Sequence, residues 1–411
     1  MAEIRPFKAM KPKEDVAHQV ASVPYDVVNR EEAKELASGN HLSFLRVTRA
    51  EIELDAKITP YSDRVYHRAR ENWERLQREA PMLRDDNPYF YIYKLCWNEE
   101  EQVGIAATFS IDEYQKDVIK KHEKTRPAKE DDRTNHILAT EAHTGAVMLT
   151  YRGVSVLNDT VDNIMGENKP LYNFTAEDGI RHTIWQVPEE LNNTIISEME
   201  KVEHLYIADG HHRAASASRA REEKKEQNSQ HNGDEDYNYF LGVLFPAEQV
   251  NILPYNRIIF RFPEDTQENF VERIRENFTV EETDLQAPPE QKTFCMYYDG
   301  QWYFLRPNDN VCPGESVGDN LDVSILQDYL LNPVFGIEDQ RTDENIDFIG
   351  GIRGTGELEK LVDTGQAVVA FSLNPVSVDD LINISDAGEI MPPKSTWFEP
   401  KLRDGLLVHT I

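Results

Sequence analysis

Apolar positions along the chain fall into two rhythms. Between residues 62 and 79, Tyr66, Ala69, Trp73 and Leu76 recur at three- and four-residue steps, which predicts an amphipathic helix. A shorter helix is expected after Tyr25-Asp26-Val27-Val28, where Asn29 can cap it, Glu32 can reach back in a capping box and Gly39 can end it. Apolar runs predict strands at 89–97 and 103–111, separated by Asn98-Glu99-Glu100-Glu101 as in a hairpin, and further strands at 146–156, 182–187, 205–208 and 239–245. A helix is expected at 188–201, and the almost wholly polar residues 221–236 predict an exposed, mobile insertion. After Gln286-Ala287-Pro288-Pro289-Glu290, which reads as a linker, residues 293–298 and 301–305 flank Asp299-Gly300, a strong hairpin turn. Helices near 323–331 and 356–362 and a strand at 367–372 follow. The pattern predicts α+β architecture with mixed sheets and surrounding helices: a domain over 1–285 that carries the polar insertion, and a smaller α+β domain over 291–411.

One break in this pattern concentrates chemistry. The short apolar strand His204-Leu205-Tyr206-Ile207-Ala208 stops at Asp209-Gly210, and His211-His212-Arg213 opens a helix that continues with Ala214, Ala215, Ser216 and Ala217. A helix start presents free N–H groups and partial positive charge, so it suits an anion. Gly210 permits a tight turn, Arg213 offers a planar fork for phosphate oxygens, and His211 or His212 can move a proton near neutral pH. Asp209 can orient a histidine, hold Mg²⁺ or act as a base. The competing explanation is an ordinary Asp-Gly turn with solvated imidazoles; the five residues together favour function.

Charge narrows the partners. The 411 residues hold 74 Asp+Glu against 44 Lys+Arg, a net charge of −30, which argues against nonspecific DNA or RNA binding and against an anionic membrane surface. Against that background Lys120–Arg133 stands out as a local basic cluster. It reads either as a phosphate clamp of Lys121, Arg126, Lys129 and Arg133, with His122 or Glu123 as acid, base or metal ligand, or as a solvated charged helix begun by Pro127. The repulsive pair Lys129 and Arg133 makes more sense with an anion between them. Three widely spaced cysteines, no long apolar run and no basic leader point to the cytoplasm. Zinc is unsupported, and P-loop, dinucleotide-fold and nucleophile-elbow motifs are missing.

Other candidates are weaker. Asp26 can bind an amine or metal, or simply satisfy its own turn. Arg46, expected in a strand between apolar residues, is either solvated or an inward ligand contact. Lys394 and Lys401 follow two prolines in a loop; they can reach a neighbouring pocket, though an ordinary surface loop is the favoured reading, while Trp397 and Phe398 read as packing anchors.

Ile207-Ala208-Asp209-Gly210-His211-His212-Arg213-Ala214-Ala215 resembles the DGHHR motif of the ParB/sulfiredoxin-like superfamily, which includes ParB nucleotide-binding domains, sulfiredoxins and free serine kinases. Nearly the whole chain is similar to a bacterial and archaeal family grouped under a domain of unknown function, through Arg5-Pro6-Phe7, Pro24–Val28, Ser43–Val47, Lys121-His122-Glu123-Lys124-Thr125-Arg126, the Asp209 turn and Pro392–Lys401. The resemblance implies a ParB/sulfiredoxin-like core over 1–285, nucleotide phosphates at the turn and, through the family's frequent placement beside serine-biosynthesis genes, serine or phosphoserine. The turn lacks cysteine, which removes sulfinic acid reduction.

The expectation is a phosphoryl-transfer enzyme acting on a small hydroxy amino acid, with ATP or ADP and Mg²⁺. Gly210 and Arg213 would hold phosphates, and Asp209 or Glu123 would activate the hydroxyl or ligate the metal. The rivals are a phosphatase of phosphoserine or another phosphomonoester, and a nucleotide-sensing module without turnover. Asp26, Arg46 and Lys394 complete the expected ligand set, and a homodimer is left open.

Overall fold

Among the described residues, nine strands join one mixed sheet. The structure, a computed structural model, describes residues 2–80, 82–264 and 267–411. In chain order the strands are β1 (Ile4–Arg5), β2 (Tyr91–Trp97), β3 (Glu100–Ser110), β4 (Ile119–Lys120), β5 (Val147–Tyr151), β6 (Tyr172–Thr175), β7 (Arg181–Gln186), β8 (Leu205–Asp209) and β9 (Tyr239–Pro246). They lie in the order β4-β8-β5-β9-β3-β2-β7-β6, with β1 beside β3. The β4–β8 and β5–β9 pairs are parallel and the others antiparallel. The β2–β3 turn places Asn98 and Glu99 at φ 50° and 70°, the left-handed geometry that matches strand twist in tight hairpins. All of β9 is buried, so it reads as a continuous apolar run rather than an alternating one.

Helices follow from local signals. Asn29 caps α1 (Arg30–Leu36) in a reciprocal capping box with Glu32. The stripe Val65, Tyr66, Ala69, Trp73 and Leu76 is buried along α2 (Asp63–Glu79). Pro127 sits in the first turn of α3 (Pro127–Thr140). The strand expected over 146–156 stops at Tyr151, and α4 (Ser155–Glu167) begins where it was to continue. Residues 221–227, expected within a mobile insertion, continue α5 (His211–Gln227) instead. The reason is Arg221: its buried guanidinium bonds Asn238, Gln115 and Asp112. The loop that follows is ordered by Glu235, which accepts from the Asn232 and Gly233 amides. Arg46 lies on a short helix (Leu45–Thr48), not a strand.

The chain divides into two units, Met1–Val250 with Pro400–Ile411, and Asn251–Glu399. The second contains its own sheet of β10 (Tyr255–Ile259), β11 (Phe278–Thr283), β12 (Phe294–Tyr298), β13 (Gln301–Pro307), β14 (Ile346–Gly350) and β15 (Val369–Ser372), ordered β11-β13-β12-β15-β10-β14. The expected linker at 286–290 therefore connects two strands of one sheet, and the division falls at Val250–Asn251. The tail expected in a C-terminal domain belongs to the first unit from Pro400 onward. Its residues Leu406, Leu407 and Val408 supply buried apolar side chains, and Val408 exchanges backbone hydrogen bonds with Met10. Asp299 and Gly300, at φ 51° and 77°, close the β12–β13 hairpin at the predicted turn. No helix among the described residues is long and apolar enough to cross a membrane. The fold is mixed α+β.

Gly242, in the middle of β9, lies under the Phe109 ring and Leu149. A Cβ there would meet Phe109 at 2.8 Å and Leu149 at 2.9 Å. Gly242→Ala should cost about 1–3 kcal/mol by overpacking, read as a lower urea midpoint at unchanged slope.

Candidate functional site

Strand β8 ends in a bulge against β5 between Ile207 and Asp209. Gly210 then adopts φ 94°, a conformation that L side chains avoid, and a Cβ there would lie 3.3 Å from the Val147 backbone. No side chain caps the start of α5. The predicted turn is thus a sharp strand-to-helix corner whose N-cap residue, a glycine, has no side chain to cap the helix.

Parallel pairing of β4 with β8 sets Ile119 against Leu205 and Lys120 against Tyr206. The basic segment must therefore leave the sheet beside the turn. The His122 and His211 rings meet edge to face with centroids 4.4 Å apart. Glu123 Oε2 is 3.9 Å from His211 Nδ1. The Arg126 N–H donates to His212 Nε2 at 3.0 Å. Helices α3 and α5 are joined by Ser216 Oγ donating to the Glu130 carbonyl at 3.1 Å and by Arg219 on Asp131 at 2.6 Å. Two motifs about ninety residues apart in sequence form one surface.

The imidazoles here are neutral. Burial lowers His122 to about 4 and takes His211 well below its ordinary value, the second also opposed by His122. Burial lowers His212 as well, with Lys129 and Arg126 adding to the effect. Because His212 Nε2 accepts the Arg126 amide, its neutral ring carries the proton on Nδ1. Nε2 of His211 is buried and finds no hydrogen-bond partner, and the buried His122 ring has only the Ile207 backbone to turn to. Unpaired buried polar atoms are uncommon in native proteins and mark places where a ligand or solvent molecule completes the geometry.

Beside this surface Arg213 and Asp404 are buried, and Arg133 nearly so, in a charge cluster whose other carboxylates, Asp26 and Asp209, keep part of their surface open to solvent. Arg213 donates through Nη1 to the Ala146 carbonyl at 2.7 Å and through Nη2 to both Asp26 oxygens at 3.0 and 3.3 Å. Burial opposes its charge, but Asp26, Asp404 and Asp209 hold the guanidinium protonated. The Tyr25 ring lies between two guanidinium groups, 4.1 Å from Arg133 and 5.7 Å from Arg213. Burial alone would raise the Asp209 carboxyl; Lys401, 3.3 Å away, and Arg213 pull it well below the usual carboxylate range. Asp404 goes the other way: burial, aided by Asp26 and resisted by Arg213, pushes it up to about 7. Tyr25, Arg133, His136, His143, Arg213 and Asp404 line a cavity of about 30 Å³, room for one water.

Several expected ligands are committed elsewhere. Lys121 donates to the Tyr114 carbonyl at 3.0 Å and pairs with Asp117 at 3.2 Å. Lys129 lies 5.6 Å from the Tyr61 ring, whereas Arg133 pairs with Asp132 at 2.7 Å, so no anion is needed between the two. Arg46 is spent on the Asn40 and Ala37 carbonyls and Glu53. Lys394 belongs to the second unit, where its Nζ donates to the Tyr255 hydroxyl at 3.4 Å. Asp209 and Glu123 were expected as magnesium ligands. Among the described residues no group of three or more His, Cys, Asp or Glu side chains is placed to hold a metal ion, and Asp209 is paired with Lys401 instead. Sequence reasoning passed over Asp404, Tyr25, His136 and His143, and treated Lys401 as a surface loop residue. The available signal for Asp404 was an Asp-Gly step inside the apolar tail Leu402–Val408.

The chain belongs to the family described as Protein of unknown function (DUF1015), which matches residues 4–324. A comparison with curated proteins finds no match. Among solved structures, the chain is similar to a free serine kinase in complex with AMP (13% identity, TM-score 0.37, 74% of this chain and 91% of that one). It is also similar to a conserved hypothetical protein from Pyrococcus furiosus (13%, 0.35, 74% and 95%). A third is SbnI with C-terminal truncation from Staphylococcus aureus (12%, 0.39, 74% and 87%). At such scores the functional reading is left to the site's own geometry.

Two outcomes test the charge cluster. Arg213→Ala takes from the buried Asp404 the guanidinium that most favours its charged form and leaves the half-open Asp26 to water, so it should cost about 1–3 kcal/mol, read by thermal unfolding. The folded-state pKa of Asp404, about 7, lies above its ordinary 3.8, so folding takes up a proton between these values and this contribution to stability is lost as pH rises through 7. The stability of Asp404→Asn relative to wild type should therefore rise from pH 4 to pH 8; a flat difference would refute the shift.

Proposed function

We propose that this DUF1015 protein is a phosphoryl-transfer enzyme that moves the terminal phosphoryl group of ATP or ADP onto a small hydroxy amino acid. The observation that carries the reading is the pair of neutral, buried imidazoles, His122 and His211, the second with an unpaired nitrogen, beside the uncapped helix start at Gly210. A helix start suits phosphate oxygens, and neutral imidazoles suit a hydroxyl proton. The hydroxy amino acid rests on the likeness of the Asp209–Arg213 turn to that of free serine kinases.

In this reading the Gly210–His212 backbone cradles phosphates, with Arg126 and Lys129 supplying the charge that Lys121 and Arg133 cannot. Arg213, already engaged by Asp26 and Ala146, holds the corner in shape rather than gripping phosphate. The substrate oxygen attacks the terminal phosphorus, the bond to the nucleotide oxygen breaks, and the hydroxyl proton passes to an imidazole nitrogen of His211 or His122. Asp209, held ionised by Lys401 and Arg213, is too weak a base for that proton and orients the adjacent histidine. Glu123 beside the nucleotide phosphates would be the carboxylate to hold Mg²⁺, which would neutralise phosphate charge, and no step is routed through it.

Serine with ATP or ADP should yield phosphoserine, detected by mass spectrometry. Phosphate released from phosphoserine without nucleotide would replace this reading with a phosphatase, and nucleotide-dependent thermal stabilisation without turnover would replace it with a sensor. His211→Gln should lower kcat by roughly 10²–10⁴-fold while the melting temperature stays close to wild type.

A further inference from the structure

We infer that a pocket in the second unit binds a small aliphatic ammonium ligand through Asp322. The pocket, about 250 Å³, lies where helix α6 (Asp322–Leu326) and helix α7 (Val378–Ala387) begin; its walls include Val317, Leu321, Asp322, Val376 and Asp380, and Lys292, whose ammonium donates to Asn320 Oδ1 at 3.4 Å. Asp322 is only 9% exposed. Its Oδ1 accepts the Lys292 amide at 2.8 Å, but Oδ2 is buried with no hydrogen-bond partner. The neighbouring Asn374 amide favours the anion, yet donates to the Glu290 carbonyl. Asp380 spends Oδ2 on Ser377, accepting from its hydroxyl at 2.7 Å and its amide at 3.2 Å.

These facts select the ligand class. A buried carboxylate oxygen without a donor is costly unless a ligand supplies one. Burial pushes Asp322 up to about 6 and Asp380 adds to the rise; the Lys292 amide and charge and the Asn374 side chain resist it without cancelling it, so the pocket still gains from an incoming positive charge rather than an anion. An ammonium group brings three N–H donors and one positive charge to these two carboxylates. Val317, Leu321, Pro375 and Val376 then cover an alkyl stem. A metal ion is a poorer fit, since no third carboxylate, histidine or cysteine among the described residues joins the pair. This pocket lies wholly in residues 251–399 and does not depend on the phosphoryl-transfer reading.

The test uses the full chain and n-butylammonium chloride, with n-butanol as the uncharged control. Calorimetric titration at pH 7.5 should show millimolar binding of the amine and none of the alcohol. Asp322→Asn should weaken it by about tenfold, a 1.4 kcal/mol effect, while the exposed Glu315→Gln should leave it unchanged. In methyl-labelled wild type, the butyl chain should give intermolecular NOEs to Val317 and Val376, a readout that needs no variant to fold. Equal weakening by Glu315→Gln would show attraction to bulk negative charge and overturn the site. Missing NOEs at saturating amine would do the same.

Discussion

The guanidinium of Arg213 is closed off from water between Asp26, the Ala146 carbonyl and the Tyr25 ring, and a buried cation tolerates no change in its counter-ions. Each partner comes from a different stretch of chain. Asp26 lies ahead of α1, Ala146 precedes β5, and Asp404 sits in the C-terminal tail. Removing one leaves an uncompensated charge in low dielectric, so these stretches must meet in one arrangement. Gly145 shows how tightly: a Cβ there would meet Asp404 Oδ1 at 2.5 Å.

This charge cluster leaves the neutral imidazoles beside it free of its ion pairs. Carboxylates Asp26, Asp209 and Asp404 and cations Arg213, Arg133 and Lys401 balance one another beside the corner. His122, His211 and His212 stay neutral because burial penalises their charged forms more than the nearby carboxylates reward them. The division matters chemically. A guanidinium locked by aspartates is a scaffold, whereas a neutral imidazole with an unpaired nitrogen remains able to bind and to take a proton.

Periodicity made most regular elements legible. The capping box at Asn29, the stripe on α2, the Pro127 start of α3 and the Asp299-Gly300 turn each arise from interactions within a few residues. Errors came where a distant partner decided. Residues 221–227 are polar enough to be a loop, yet Arg221 is fixed by Asn238 and Asp112 and the helix runs on. Arg46 reads as a strand residue among apolar neighbours, but its donors terminate backbone carbonyls around a short helix. Residues 286–290 look like a linker, although the strands they join lie in one sheet.

For the site, the sequence by itself determined the corner. Asp209-Gly210 must break the strand, a helix must open with two histidines, and a basic segment must stand out in a chain of net charge −30. These are local or compositional consequences, and the chain order contains them. Which cations remain available was decided only in three dimensions, because charge neutralisation depends on distance rather than on sequence spacing. Parallel pairing of β4 with β8 brought His122 to His211, while the tail returned Lys401 to Asp209 and Asp404 to Arg213 from about 190 residues away. A residue's chemistry here is set by what burial places beside it, and burial is a property of the folded chain.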